Sequence, residues 1–114
     1  MRENILVCKS EDLALNIINF VQNLSKKQLI IANQILRSGT SIGANIAESV
    51  YAVSRADFCN KLQIALKEAN ETKYWLTLLN KSNMIEKVEY ETLNNNVIEL
   101  IKILTRSIKT GKEI

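Results

Sequence analysis

The sequence contains no histidine and no proline, and it has only three glycines and two cysteines. Without histidine, the chain cannot build a Ser/His triad or a Glu-x-x-His di-iron site, and its two cysteines form no Cys-x-x-Cys zinc site. The scarcity of proline and glycine removes most of the residues that punctuate hairpins and sheets, which favours long helices. These absences indicate an all-helical protein without the common metal and acid–base chemistry.

Long apolar runs are also absent. No stretch approaches the roughly 20 residues that a transmembrane helix needs, and residues 1–12 reach acidic side chains too early for a signal peptide. The two cysteines, Cys8 and Cys59, are compatible with reduced thiols in the cytoplasm. We therefore expect a cytoplasmic protein that has no membrane partner and no cofactor.

The chain of 114 residues is long enough for one domain with a sizeable core. Apolar residues at steps of three and four predict helices at about 10–24, 28–53, 55–80 and 86–108. Ser10 is the expected N-cap of the first helix, and residues 1–9 before it are expected to form a loosely held arm. Short turns between such helices predict a single domain over residues 1–114, folded as an antiparallel up-down-up-down four-helix bundle.

Local signals mark the ends of the last two helices. Ser54 and Asp57 resemble a capping box at the start of the third helix. Gly111 is the expected C-terminal cap of the fourth helix. Ile85, in the turn before that helix, is expected to close one end of the bundle.

Each predicted helix carries one apolar stripe that should face the interior of the bundle. The stripes are Leu13, Ile17, Phe20, Val21 and Leu24; Ile31, Ile35, Ser38, Ile42, Ile46, Ser49 and Val53; Phe58, Leu62, Ala65, Ala69, Thr72, Leu76 and Leu79; and Tyr90, Leu93, Val97, Leu100, Ile101, Leu104 and Ile108.

A polar stripe runs beside the apolar stripe of the second helix. Its members are Gln34, Arg37, Ser41, Asn45 and Glu48. Polar groups beside a core are stable only when they find partners. We therefore expect a further neighbour to cover this face, Arg37 to pair with Glu48, and Asn45 to be a candidate for a buried hydrogen-bonded pair.

Two helix surfaces are candidates for contact between copies of the chain. Gly39 and Gly43 create a small-residue surface that another backbone can approach, although a tolerated glycine pair is the alternative. An off-stripe Trp75 is typical of interfaces, although a core stripe wide enough to cover it is equally compatible. The interface candidates are Gly39, Gly43, Ile64, Glu68, Glu71, Trp75 and Leu78.

The net charge of +3 comes entirely from the C-terminus. Residues 101–114 hold four basic residues and one acidic residue, whereas residues 1–100 hold 11 of each. The candidate contacts to nucleic acid are Lys102, Arg106, Lys109 and Lys112, and the first three share one helical face. The alternative is a solvated face whose cations suit the C-terminal end of a helix dipole.

The segment from Gln34 to Glu48, QILRSGTSIGANIAE, resembles the QxxRSxxSIxxNIxE signature of the 23S rRNA-intervening sequence protein family. The run from Ser54 to Phe58 and the segments 61–62, 65–69, 71–72 and 74–76 continue the resemblance, which covers most of the chain from about residue 10. It implies a homopentamer of up-down bundles. A related accessory protein of diversity-generating retroelements has a similar pentameric shape and binds nucleic acid.

Three functions are compatible with these observations. The first is a non-enzymatic homo-oligomeric scaffold that binds RNA or DNA weakly through phosphate contacts. The second is a protein-interaction module that binds no nucleic acid. The third is an enzyme that uses Glu48, Glu68 or Glu71 as an acid, a base or a metal ligand. The third is not expected, because the sequence offers no nucleophile–base pair and no phosphate-binding loop, so no catalytic or metal residue is assigned.

Overall fold

Four helices account for most of the chain. A computed structural model describes the backbone of residues 2–113 and the side chains of residues 5–111. The helices in this part of the chain are α1 (Arg2–Gln22), α2 (Leu29–Ser49), α3 (Arg55–Lys81) and α4 (Lys87–Glu113), and a 3-10 helix at Lys26–Gln28 precedes α2. The described residues contain no strand, so the predicted all-α class is confirmed.

The helices form the predicted antiparallel up-down-up-down bundle. Each helix packs against the next along the chain, and α4 also packs against α1. The molecule measures 46 × 20 × 19 Å, and because a 27-residue helix is about 40 Å long, the long dimension follows the helix axes. The connection end of the bundle comprises residues 50–54, the start of α1 and the end of α4. At the opposite end, the side-chain amide of Gln28 donates a hydrogen bond to the backbone carbonyl of Met84 and joins the two other turns.

One hydrophobic core runs along the bundle, and the predicted stripes supply nearly all of it. Ile85 packs against this core, as predicted. The buried core residues are Leu6, Leu13, Ile17, Phe20, Ile35, Ile42, Ile46, Leu62, Ala65, Ala69, Leu76, Leu79, Leu93, Val97, Leu100, Leu104 and Ile108.

Helix α1 begins earlier than predicted. It starts at Arg2, so Ser10 lies inside the helix rather than at its N-cap, and the predicted arm is helical from residue 2 onward. Met1 lies outside the described residues. Leu6 is buried in the core and Val7 packs against it. Leu6, Ser10 and Leu13 lie on one face of the helix, and the hydroxyl of Ser10 donates to the backbone carbonyl of Val7 at 3.1 Å. The helix extends to residue 2 because the additional turns bury Leu6 in the core.

Helix α2 ends at Ser49, earlier than predicted, and Val53 is not in the core. Val53 is 91% exposed. The start of α3 explains this difference, because Ser54 Oγ accepts a hydrogen bond from the backbone N–H of Asp57 at 3.0 Å and thereby fixes the N-cap. The carboxylate of Asp57 accepts a hydrogen bond from the backbone N–H of Val53 at 3.2 Å. A capping box would use the N–H of the N-cap residue Ser54, so the donor is one residue earlier than expected. The chain reverses direction over residues 50–54.

Helix α4 runs to Glu113, so Gly111 is an interior helical residue rather than the predicted cap. A Cβ atom at Gly111 would lie 2.7 Å from Cys59 Sγ. The missing side chain therefore lets the last turns of α4 pack closely against the first turns of α3.

Candidate functional site

The polar stripe of α2 faces α3, and Arg37 is the centre of its contacts. The two terminal guanidinium nitrogens of Arg37 donate separately to Glu68, at 3.3 Å, and to Glu71. Its Nε donates to Gln34 at 3.2 Å. Glu71 also accepts a hydrogen bond from the indole N–H of Trp75 at 3.0 Å. Helix α3 of the same chain thus supplies partners for the polar stripe, although Gln34, Arg37 and Glu48 remain exposed.

The predicted pair between Arg37 and Glu48 is wrong. These residues are three helical turns apart on α2, about 16 Å along the axis, which exceeds the reach of their side chains. Glu48 instead accepts a hydrogen bond from Lys61 of α3 at 3.0 Å. This hydrogen bond and the negative charge of Glu48 raise the pKa of Lys61 above its ordinary value.

The remaining members of the polar stripe bond within their own helix. Ser41 Oγ donates to the carbonyl of Arg37 at 2.7 Å, and the amide of Asn45 donates to the carbonyl of Ser41 at 2.9 Å. Asn45 has no hydrogen-bonded side-chain partner on another described helix, so the structure does not contain the buried pair considered for it. The buried polar pair between α2 and α3 consists instead of Ser38 and Thr72, whose hydroxyl oxygens are 2.7 Å apart.

The two glycines of α2 lie beneath α1 rather than on a free surface. A Cβ atom at Gly39 would be 2.3 Å from Cδ1 of the buried Ile17, and one at Gly43 would be 3.5 Å from Oγ of Ser10. Another backbone does approach this small-residue surface, as predicted, but it belongs to the same chain. Gly39 and Gly43 therefore form part of the contact between α1 and α2 and not of a contact between copies of the chain.

The off-stripe surface of α3 is partly core and partly exposed. Trp75 is half-buried and packs against the core, while its neighbour Tyr74 meets it edge-on at a ring-centroid distance of 5.1 Å. Ile64 is 36% exposed and Tyr74 is 55% exposed. Leu78 is half-buried. The wide core stripe thus accounts for Trp75 in part, and an apolar surface remains around it.

The basic stripe of α4, defined as Lys102, Arg106 and Lys109, lies on the outside of the bundle. All three residues are exposed. None of them forms an ion pair with another described residue, whereas Lys9, Arg37 and Lys61 are all paired. The fourth candidate, Lys112, has its side chain outside the described residues. The predicted stripe is a continuous set of unpaired cations.

Sequence reasoning missed one exposed apolar feature. Val50, Tyr51 and Val53 project from the connection between α2 and α3, whereas the periodicity had extended α2 through them. The signal that could have placed them in a turn is the N-cap at Ser54, because a chain that starts α3 there must already have left α2.

These features define an all-α four-helix-bundle protein whose α2–α3 seam is closed by ion pairs and whose α4 carries unpaired cations. A family model described as 23S rRNA-intervening sequence protein matches residues 2–106. The chain belongs to this family, which confirms the resemblance seen in the sequence.

The bundle is also similar to a solved structure. A crystal structure of a protein with unknown function from the S23 ribosomal protein family of Bacteroides thetaiotaomicron shares 50% sequence identity with this chain. The match covers 96% of this chain and 99% of that one, with a TM-score of 0.91. A comparison with curated proteins found no match. Within the described residues, no helix combines the length and apolarity needed to cross a membrane.

Proposed function

We propose that the protein is a non-enzymatic scaffold that assembles with copies of itself and binds nucleic acid through phosphate contacts. The basic stripe of α4 carries this proposal, because its three cations are exposed and have no ion-pair partner among the described residues. Cations that need not break an ion pair can replace the counterions of a polyanion at low cost. Glu48, Glu68 and Glu71 are engaged by Lys61 or Arg37, and no catalytic residue, metal or cofactor belongs to the proposal.

The proposed assembly is a homopentamer, the state that the family resemblance implies. A ring displays several copies of the basic stripe, so that weak individual contacts add up on one long polyanion. The surface of α3 around Ile64 and Tyr74 is the proposed contact between protomers, because it combines exposed apolar side chains with a half-buried tryptophan.

Neutralising the basic stripe is expected to weaken binding of nucleic acid. In the variant Lys102→Gln/Arg106→Gln/Lys109→Gln, we expect affinity for labelled structured RNA and duplex DNA to fall at least tenfold at low salt. The slope of log affinity against log salt should become shallower by about 0.9 for each duplex phosphate contact that is lost. Fluorescence anisotropy across a salt series measures both quantities.

A matched control separates this stripe from net charge. Lys27→Gln/Lys81→Gln/Lys87→Gln removes the same charge at the opposite end of the bundle, where these lysines are also exposed and unpaired among described residues. This control should keep affinity within about twofold of the wild type. Equal losses in the two variants would contradict a specific role for α4, and absence of wild-type binding at low salt would reject the nucleic-acid function.

A charge on the outer surface of α3 is expected to break the assembly. Ile64→Glu should shift the mass measured by light scattering from that of a pentamer toward the 12.9 kDa of one chain, because an unpaired carboxylate would be buried at the contact. Helix content by circular dichroism should not change, since Ile64 already reaches solvent. The control Ile30→Glu makes the same change at a site on α2 that is 81% exposed, and should leave the mass unaltered. A monomeric wild type at micromolar concentration would refute the proposed assembly.

The alternative is a protein-interaction module without nucleic-acid binding. The observation that favours it is the same apolar surface of α3, which could receive a different protein instead of a second copy. In that case, neutralising Lys102, Arg106 and Lys109 would leave binding of the partner intact, whereas Ile64→Glu would abolish it.

A further inference from the structure

The connection between α2 and α3 presents three large apolar side chains to solvent at the connection end of the bundle. Val50 is 49% exposed, Tyr51 is 84% exposed and Val53 is 91% exposed. Single exposed apolar residues are normal on protein surfaces, but neighbouring ones form a patch that usually has a partner. Tyr51 is the most exposed aromatic side chain among the described residues.

The backbone that carries these side chains is fully engaged in hydrogen bonds. The N–H groups of residues 50, 51 and 52 donate to the carbonyls of Ala47, Glu48 and Ser49 at 3.3, 3.0 and 3.2 Å. The N–H of Val53 donates to Asp57, which ties the connection to the first turn of α3. Because both ends of the connection are fixed in this way, the backbone of Tyr51 is held away from the core and its side chain projects into solvent.

Two cations that form no ion pair with a described residue lie at the same end of the bundle as Tyr51. Arg55 follows Tyr51 at the start of α3 and is exposed. The close approach of Gly111 to Cys59 brings the last turns of α4, which include Lys109, to the same end. Of the nearby carboxylates, Glu48 is paired with the cation of Lys61, and Asp57 accepts a hydrogen bond from the neutral backbone N–H of Val53.

Arg55 lies on the wall of a groove at this end of the bundle. The groove is about 560 Å³ in volume, lies between the first turns of α3 and the last turns of α4, and is lined by Arg55, Ala56, Cys59, Asn60, Gln63 and Gly111. One wall begins at the N-terminus of α3, where the helix dipole favours anions. A phosphate that enters this groove would meet Arg55, the only charged residue among the described residues that line it.

We infer that the connection end binds single-stranded nucleic acid, with one base stacked on Tyr51 and an adjacent phosphate held by Arg55. This inference rests on the proposed nucleic-acid function and specifies its ligand. An exposed aromatic ring beside cations is the combination that binds single strands without sequence preference. A duplex offers its bases paired and stacked, so it leaves no base face for Tyr51. A second copy of this end is disfavoured as the partner because it would bring like charges together.

Fluorescence anisotropy with three labelled probes of equal length tests this inference: oligothymidine, the same strand with abasic sites, and duplex DNA. We expect wild-type protein to bind oligothymidine most tightly. Tyr51→Ala should weaken that binding by about tenfold, within the range measured for loss of one stacked base, and should leave the affinity for the abasic strand unchanged. Tyr51→Phe should retain wild-type affinity because it keeps the ring. Ile30→Ala, which removes an exposed apolar side chain from α2 outside the proposed contact between protomers, should also bind as the wild type does.

The outcomes separate this inference from the function on which it rests. Salt-dependent binding that is equal for the three probes and unaffected by Tyr51→Ala would overturn the inference and leave phosphate binding in place. No binding to any probe would overturn both. If Tyr51→Ala left single-strand binding intact but lowered the mass in light scattering, or abolished binding to phosphatidylserine vesicles, the patch would be a contact between copies or with a lipid surface, and the inference would be wrong.

Discussion

Gly39→Leu is expected to lower the free energy of unfolding by about 3 kcal/mol, the upper end of the cost of overpacking a core. A Cβ atom alone would lie 2.3 Å from Cδ1 of Ile17, and Ile17 is fully buried between α1 and the rest of the core. The leucine side chain adds three more carbon atoms at the same place, so α1 must move away from α2. Urea denaturation followed by circular dichroism measures the change.

The second glycine of α2 provides the matched comparison. A Cβ atom at Gly43 would make an ordinary contact, 3.5 Å from Ser10 Oγ, and alanine is favoured over glycine inside a helix by about 1 kcal/mol. Gly43→Ala should therefore raise the urea midpoint. If Gly39→Leu unfolded at the wild-type midpoint, the close packing of α1 on α2 would be incorrect.

Thr72→Val is expected to lower the free energy of unfolding by about 1–3 kcal/mol, the cost of leaving a buried hydroxyl without its partner. Ser38 and Thr72 are fully buried, and their hydroxyl oxygens are 2.7 Å apart. Thr72 donates its proton to the carbonyl of Glu68 at 2.9 Å, so Ser38 must be the donor to Thr72. Valine keeps the shape of threonine but removes the hydroxyl that accepts from Ser38 and donates to the carbonyl of Glu68.

The double variant Ser38→Ala/Thr72→Val distinguishes loss of the hydrogen bond from loss of packing. Replacing both partners removes the unsatisfied group, so the double variant should be more stable than Thr72→Val alone. The coupling free energy comes from four urea denaturation curves. Strictly additive effects would show that the two hydroxyls do not interact.

The stripes of the sequence predicted the class of fold and its interior because helical periodicity is a local property. Ile35, Leu62 and Leu104 are buried as their spacing required. The ends of the helices depend on information that periodicity does not contain. Val53 continues the stripe of α2, but the N-cap at Ser54 takes precedence because the chain must reverse before α3 begins.

The partners of the polar stripe could not be read from α2 alone. In an antiparallel hairpin the residue numbers of facing positions have a nearly constant sum, and the pairs 48 with 61, 38 with 72 and 37 with 71 all lie close to 109. Once the connection at 50–54 is known, Glu71 becomes the natural partner of Arg37. The sequence contained the charges, but their pairing required the length of the connection.

The glycines show a different limit. Gly39 was assigned to a surface because a missing side chain permits any backbone to approach, and the sequence does not say which one. The structure assigns that role to α1, where Ile17 fills the space. The sequence does not predict the exposure of Tyr51 or of Val53, because helical periodicity continues through both residues whereas α2 ends at Ser49.

The up-down order of the helices also bears on how the chain finds its fold. Each helix packs on the next one along the chain, across connections of only a few residues, so the entropy lost in closing those loops is small. The exception is the seam between α1 and α4, where Lys9 pairs with Glu99 at 2.9 Å across almost the whole chain. Local helix pairs should therefore form quickly, and the docking of α1 on α4 is the one long-range closure that the folding reaction must complete.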